Sequence, residues 1–195
     1  MIRAFLGLAL PEAVRSALAL QQALLPLPRR VAPETLHLTL VFLGEQPDAA
    51  LEAAHDAFAT LRVAAFPLSL QGLGLFGGAR PRAAWAGVAP SGPLIGLQAT
   101  AERAAHLAGI RLEHRRFVPH VTLGRFPPPD FAATARLERA VAEGFAFSAG
   151  PWMVQDMVLW RSHLGPRGAR HDELARYPFA PGPRPGQVGA EMGPD

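Results

Sequence analysis

His37-Leu38-Thr39-Leu40-Val41-Phe42-Leu43-Gly44 is the stretch from which the rest of the chain can be read. Branched and aromatic residues fill it, and Pro33 and Gly44 bound it, so it predicts a strand over residues 34–43. On a strand, residues two apart share a face. His37 and Thr39 therefore point one way, and Leu38 and Leu40 the other. The strand buries its aliphatic face and presents an imidazole beside a hydroxyl. The pattern recurs at His120-Val121-Thr122-Leu123, 83 residues further on, in an apolar segment predicted as a strand from Pro119 to Phe126.

Outward from these two strands, helical and extended patterns alternate. Residues 2–10 read as a first strand rather than a signal peptide, because the apolar run is short and no clear cleavage site follows. A helix is expected from Pro11–Glu12 to about Leu24, with Val14, Leu18 and Leu24–Leu25 on its apolar stripe. Another follows the first motif, from about Asp48, read as its N-cap, to Leu61. Residues 66–76 and 82–89 read as paired strands turned by Gly77-Gly78. Ser91 is expected to cap a helix ending near Gly109, and Asp130 one over about 131–143. Residues 145–149 and 152–161 read as strands, 162–168 as a loop, and Leu174–Phe179 as a last short strand. The Pro/Gly-rich residues 181–195 read as a disordered tail beyond a single domain over 1–180.

Strands and helices intermixed, with hairpin-like pairs, predict an α+β fold with largely antiparallel sheets flanked by helices. In each half a His-x-Thr-x strand is followed by a helix and then more strands. That order predicts a two-lobed, pseudo-symmetric molecule with a cleft between the lobes.

Composition excludes several chemistries. The 195 residues contain no cysteine, so thiol catalysis, disulfides and thiolate zinc sites are out. All 19 basic residues are arginine, and the formal net charge is +3. Without lysine there is no Schiff base and no Walker lysine. Arginine's planar fork suits phosphate, which is compatible with a nucleic-acid partner, although a GC-rich genome alone would give the same usage. No apolar stretch approaches the roughly 20 residues that span a bilayer. A reducing cytoplasm is the expected location, with no membrane association and no obligate protein partner evident.

Two strands of this kind facing each other bring two imidazoles and two hydroxyls to one place. That set suits opening of a cyclic phosphate. One neutral imidazole takes a proton from attacking water, and the other, protonated, supplies one to the departing oxygen. Thr39 and Thr122 can donate hydrogen bonds to the non-bridging phosphate oxygens. Two imidazoles and two hydroxyls do not complete a zinc site, and Glu34 lies off parity from His37. No metal or other cofactor is therefore expected.

These segments, with Arg3-Ala4-Phe5-Leu6-Gly7, Phe117-Val118-Pro119-His120-Val121-Thr122-Leu123-Gly124-Arg125 and residues 162–168, resemble the 2H phosphoesterases. The resemblance is to the bacterial RNA 2′,3′-cyclic phosphodiesterases, once called 2′-5′ RNA ligases. It implies hydrolysis of a 2′,3′-cyclic phosphate terminus of RNA to a 2′-phosphate, with slow reverse ligation. It implies His37 as general acid and His120 as general base. It also implies an aromatic at Phe42 and an arginine at Arg125 as substrate contacts. Strand parity puts both on the face away from their histidines unless a bulge intervenes. Where the family often has a tyrosine after Gly168, this chain has His171. The same motifs would also serve a phosphodiesterase for small cyclic nucleotides or ADP-ribose 1″,2″-cyclic phosphate, or a non-catalytic RNA-end-binding module.

Of the other histidines, His55 and His106 read as surface or satisfied side chains, and His163 and His171 as possible groups at a cleft mouth. His114 sits in a basic stretch with Arg111, Arg115 and Arg116, where Arg115 and Arg116 read either as groups that steer a phosphate backbone or as a solvated turn. Trp85, Trp152 and Trp160 lie in apolar strands and read as core.

Overall fold

A computed structural model of the chain describes residues 1–113, 115–166 and 168–182. In chain order the elements are β1 (Ile2–Ala9), α1 (Glu12–Leu24), β2 (His37–Gln46), α2 (Asp48–Ala59), β3 (Phe66–Phe76) and β4 (Ala83–Val88). They continue with α3 (Gly92–Leu107), β5 (His120–Arg125), α4 (Phe131–Glu143), β6 (Ser148–Val154), β7 (Asp156–Gly165) and β8 (Gly168–Pro178). The fold is α+β, and every pairing between these strands is antiparallel.

The strands lie in the order β6-β3-β4-β5-β2-β1-β7-β8. This single sheet consists of two four-stranded halves. The motif strands β2 and β5 are the central neighbours, and their recorded register is one pair, Leu38 opposite Val121. Outward from the centre the order is alike in both directions: a motif strand, its partner, then two outer strands. The succession β1-α1-β2-α2 is matched by β4-α3-β5-α4, which is the pseudo-symmetry the motif spacing predicts.

Two of the helices, α1 and α3, are exchanged between the halves. α2 and α3 pack on each other and on β8 and β2, whereas α1 and α4 pack on β5, β6 and β3. One apolar core lies between helices and sheet. It takes Leu18 from α1, Phe58 from α2, Leu97 from α3 and Leu137 from α4, against Leu38, Leu40, Val121 and Leu123 of the motif strands. The aliphatic faces are thus buried as their alternation requires, which leaves the histidine faces turned away from the core. Ser91 caps α3 by accepting from the Leu94 N–H at 3.3 Å, and Asp130 caps α4 by accepting from Ala133 at 2.7 Å.

Some boundaries differ from expectation. Residues Pro33–Thr35 form a short 3-10 turn, and β2 begins only at His37. Proline opens that turn naturally, having no N–H to lose. Pro47, not Asp48, is the N-cap of α2; Asp48 lies in the first turn, where its charge suits the helix dipole. Gly144–Ala146 form a 3-10 turn before β6. The segment read as a loop over 162–168 instead carries β7 through to Gly165, and β8 is an 11-residue strand. Cross-strand pairing with β7 extends an otherwise polar sequence, an effect invisible to local pattern. His114 and residues 183–195 lie outside the described residues. No helix among the described residues is long and apolar enough to cross a membrane.

Candidate active site

Both motif strands carry a bulge just after their threonine, and the bulges decide what stands beside the histidines. In β2, Gly7 pairs with Thr39 and Leu6 with Val41, so Leu40 is the extra residue. Leu40 and Val41 are accordingly both buried, and the alternation restarts one residue late. Phe42 is thereby returned to the His37 and Thr39 face, opposite Phe5, with 41% of its surface exposed. In β5, Trp85 pairs with Thr122 and Ala84 with Gly124, which leaves Leu123 extra and brings Arg125 onto the His120 and Thr122 face.

The second bulge has a visible support. The Leu123 carbonyl accepts the Gln22 side-chain amide at 2.7 Å and the Val31 N–H at 2.9 Å. Gln22, on α1, is the one buried polar side chain among the described residues. A buried carbonyl left unpaired is costly, so these two donors together support the register slip that aims Arg125.

The two histidines are held alike. Each Nδ1–H donates to the carbonyl two residues earlier, Thr35 for His37 and Val118 for His120, both at 2.7 Å. A carbonyl can only accept, so Nδ1 carries the proton and Nε2 of each neutral ring is the unprotonated nitrogen. In the neutral ring the His37 Nε2 accepts from the Thr39 hydroxyl at 3.1 Å. Each imidazole also leans on aromatics. His37 stacks on Phe5 at 4.5 Å and meets Trp160 at 5.7 Å, while His120 meets Phe76 edge-on at 4.9 Å and Trp85 at 6.4 Å.

Burial in these aromatic surroundings lowers the His37 pKa to about 4, with further lowering from the positive charges of His171, Arg125 and His120. Burial also lowers the pKa of His120, and Arg125 adds to it. Arg125 itself is lowered by burial and by Arg3. Arg125 thus bears on both imidazoles as a positive charge. Such a charge is suited to an anion that develops further negative charge.

Two groups beside the motifs escaped the sequence reading. Trp85 and Trp160 were expected in the core but lie half-buried on the histidine face; only Trp152 packs against the core. Their indoles lie across glycines: a Cβ at Gly74 would come within 2.2 Å of Trp85, and one at Gly7 within 3.1 Å of Trp160. Glycine opposite tryptophan (Gly74 and Trp85) or diagonal to it (Gly7 and Trp160) on a neighbouring strand was the available signal, but it needs the register to be read. His171, on β8, meets His37 edge-on at 5.1 Å. His163 is elsewhere, bonded to Asp172 at 2.8 Å on the other face of the β7–β8 hairpin. His55 bonds the Tyr177 hydroxyl at 2.9 Å, and exposed Arg115 pairs with Glu113.

The 2′-5′ RNA ligase superfamily pattern matches residues 10–166, most of the chain and both motifs. The chain belongs to the 2′-5′ RNA ligase superfamily. Among superfamily relatives, it is 31% identical over 180 residues to the RNA 2′,3′-cyclic phosphodiesterase of Methanothermobacter thermautotrophicus, covering 89% of this chain and 96% of that protein. It spans 53% of the length of the Geobacillus stearothermophilus protein of the same name. The crystal structure of TT0787 of Thermus thermophilus superposes with a TM-score of 0.74 at 28% identity, over 91% of this chain and 98% of that one. Escherichia coli LigT complexed with 3′-AMP superposes at 0.69 and 27% identity, covering 91% and 97%.

Proposed function

We propose that this chain hydrolyses RNA 2′,3′-cyclic phosphate termini to 2′-phosphates by metal-independent acid–base catalysis between His37 and His120. The observation that carries the reading is the matched pair of imidazoles. Each is fixed as the Nδ1–H form by a carbonyl, and each keeps Nε2 for the substrate within range of the same arginine charge. The names of the superfamily relatives supply the substrate class.

The Nε2 of His120 accepts a proton from water as the water oxygen bonds to phosphorus. The P–O3′ bond breaks, and the His37 imidazolium gives its Nε2 proton to the 3′ oxygen. The products are a 2′-phosphate monoester and a 3′-hydroxyl. Thr39 and Thr122 donate to the non-bridging oxygens, and Arg125 balances the accumulating charge. The low intrinsic pKa of His37 makes its imidazolium, once formed, a strong proton donor. Phe42 offers the terminal nucleotide an apolar face. The reverse reaction, 2′-5′ ligation, uses the same groups in exchanged roles.

The test is an oligonucleotide ending in 2′,3′-cyclic phosphate, incubated with the protein in EDTA, with the product terminus identified. A 2′-phosphate is expected. Turnover of small cyclic compounds alone, or binding with no turnover, would replace the proposal by one of the other readings.

Charge linkage adds a second expectation. Both imidazoles have lowered pKa values, that of His37 to about 4, so in the free protein at neutral pH the proposed acid lacks its proton. A bound phosphate anion stabilises the imidazolium and raises its pKa. The alkaline limb of kcat, which reports the complex, should therefore lie at higher pH than that of kcat/KM, which reports the free enzyme. Coincident limbs in a pH–rate series would contradict this.

A further inference from the structure

Arg3 is a site-face charge that the chemistry at one phosphorus atom does not use. It lies on β1 two residues from Phe5, the ring that stacks on His37, and opposite Glu45 in register. Equal parity puts Arg3 and Phe5 on one face, with Arg3 one pleat further along, roughly 7 Å. Its guanidinium sits 4.5 Å from the centroid of the Phe42 ring. Stacking of this kind leaves the in-plane N–H fork free to bind. No carboxylate among the described residues forms an ion pair with Arg3 or with Arg125, not even Glu45 across the strand. Arg3 nevertheless bears on Arg125 as a like charge. Two guanidinium groups without a carboxylate partner, Arg3 on β1 and Arg125 on β5, give this face room for two anions and not only one.

Resting on the function proposed above, we propose that Arg3 binds a second phosphate, the phosphodiester joining the terminal nucleotide of the RNA to its 5′ neighbour. A mononucleoside 2′,3′-cyclic phosphate carries only the reacting phosphate. An RNA end always brings the next one, a single nucleotide away. Arg3, held on Phe42 beyond the reacting centre, distinguishes the two by a charge-assisted, fork-shaped contact. Phe42 has two roles in this scheme: it faces the terminal nucleotide and it orients the arginine.

The experiment compares kcat/KM for cytidine 2′,3′-cyclic phosphate with that for the dinucleotide CpC ending in the same cyclic phosphate. The native protein should prefer the dinucleotide by roughly tenfold, the scale of one charged hydrogen-bonded contact. In Arg3→Gln the preference should fall to near parity. The salt dependence of log kcat/KM for the dinucleotide should also become shallower, because one screened charge–charge contact is lost. Arg3→Lys should keep the salt slope while losing part of the preference. Mononucleotide turnover in the same preparations reports whether the site is folded. A preference and slope unchanged in Arg3→Gln would overturn the proposal and leave Arg3 as packing for Phe42. Failure of the native protein to open either compound would instead remove the function on which the proposal rests.

Discussion

His37→Ala and His120→Ala should each lower kcat by roughly 10²–10⁴-fold, the usual scale for losing a positioned general acid or base. The two losses should not add, because proton removal and proton delivery belong to one transition state. Neither variant should unfold the protein, since both rings lie on the face turned away from the core. The variants are separable by leaving group. With sulfur in place of the 3′ bridging oxygen, the departing thiolate needs no proton. His37→Ala should then recover most of its rate while His120→Ala remains slow. Recovery in the opposite variant would exchange the roles of the two residues. Near-native turnover in either alanine variant would take that residue out of the mechanism.

Thr122→Val and Thr39→Val should each reduce kcat by about 10²-fold, the lower end of what one oxyanion donor contributes. The change conserves shape and removes only the hydroxyl. The cost should fall on kcat more than on KM, because the donated hydrogen bonds strengthen as charge builds on the phosphoryl oxygens. Thr39→Val has an additional signature. Its hydroxyl also bonds the His37 Nε2 at 3.1 Å, so its loss changes the environment of the proposed acid. NMR titration of His37 in the two variants should show a shift for Thr39→Val and little for Thr122→Val. Equal losses in KM with kcat unchanged would show instead that the hydroxyls bind ground state and transition state alike.

The motif residues were legible because their signal is local. Alternation in His37 to Leu40 and in His120 to Leu123 requires only the strand period, and the structure follows it. The mixed strand and helix order gave the class in the same way. What escaped is what depends on pairing. The bulges at Leu40 and Leu123 reverse parity for Phe42 and Arg125, and nothing in either strand announces them. The Leu123 bulge is supported by Gln22, 101 residues away. Trp85 and Trp160 look like core by composition, yet register sets them beside the histidines, over Gly74 and Gly7. The β7–β8 hairpin was underestimated because its residues gain extended structure from each other and not from their own propensities.

The exchange of elements between the halves has a consequence for how the chain comes off the ribosome. β1 is made first, yet one of its two neighbours is β7, which begins at Asp156. α1 must reach across to strands β5 and β6, synthesised long after it. Closing contacts of such sequence separation is slow, because the entropy of the loop is lost before the pairing is gained. The nascent chain must therefore hold an unfinished apolar edge until β7 has emerged. Cutting the gene at its midpoint would yield two fragments, neither of which contains a complete half of the sheet.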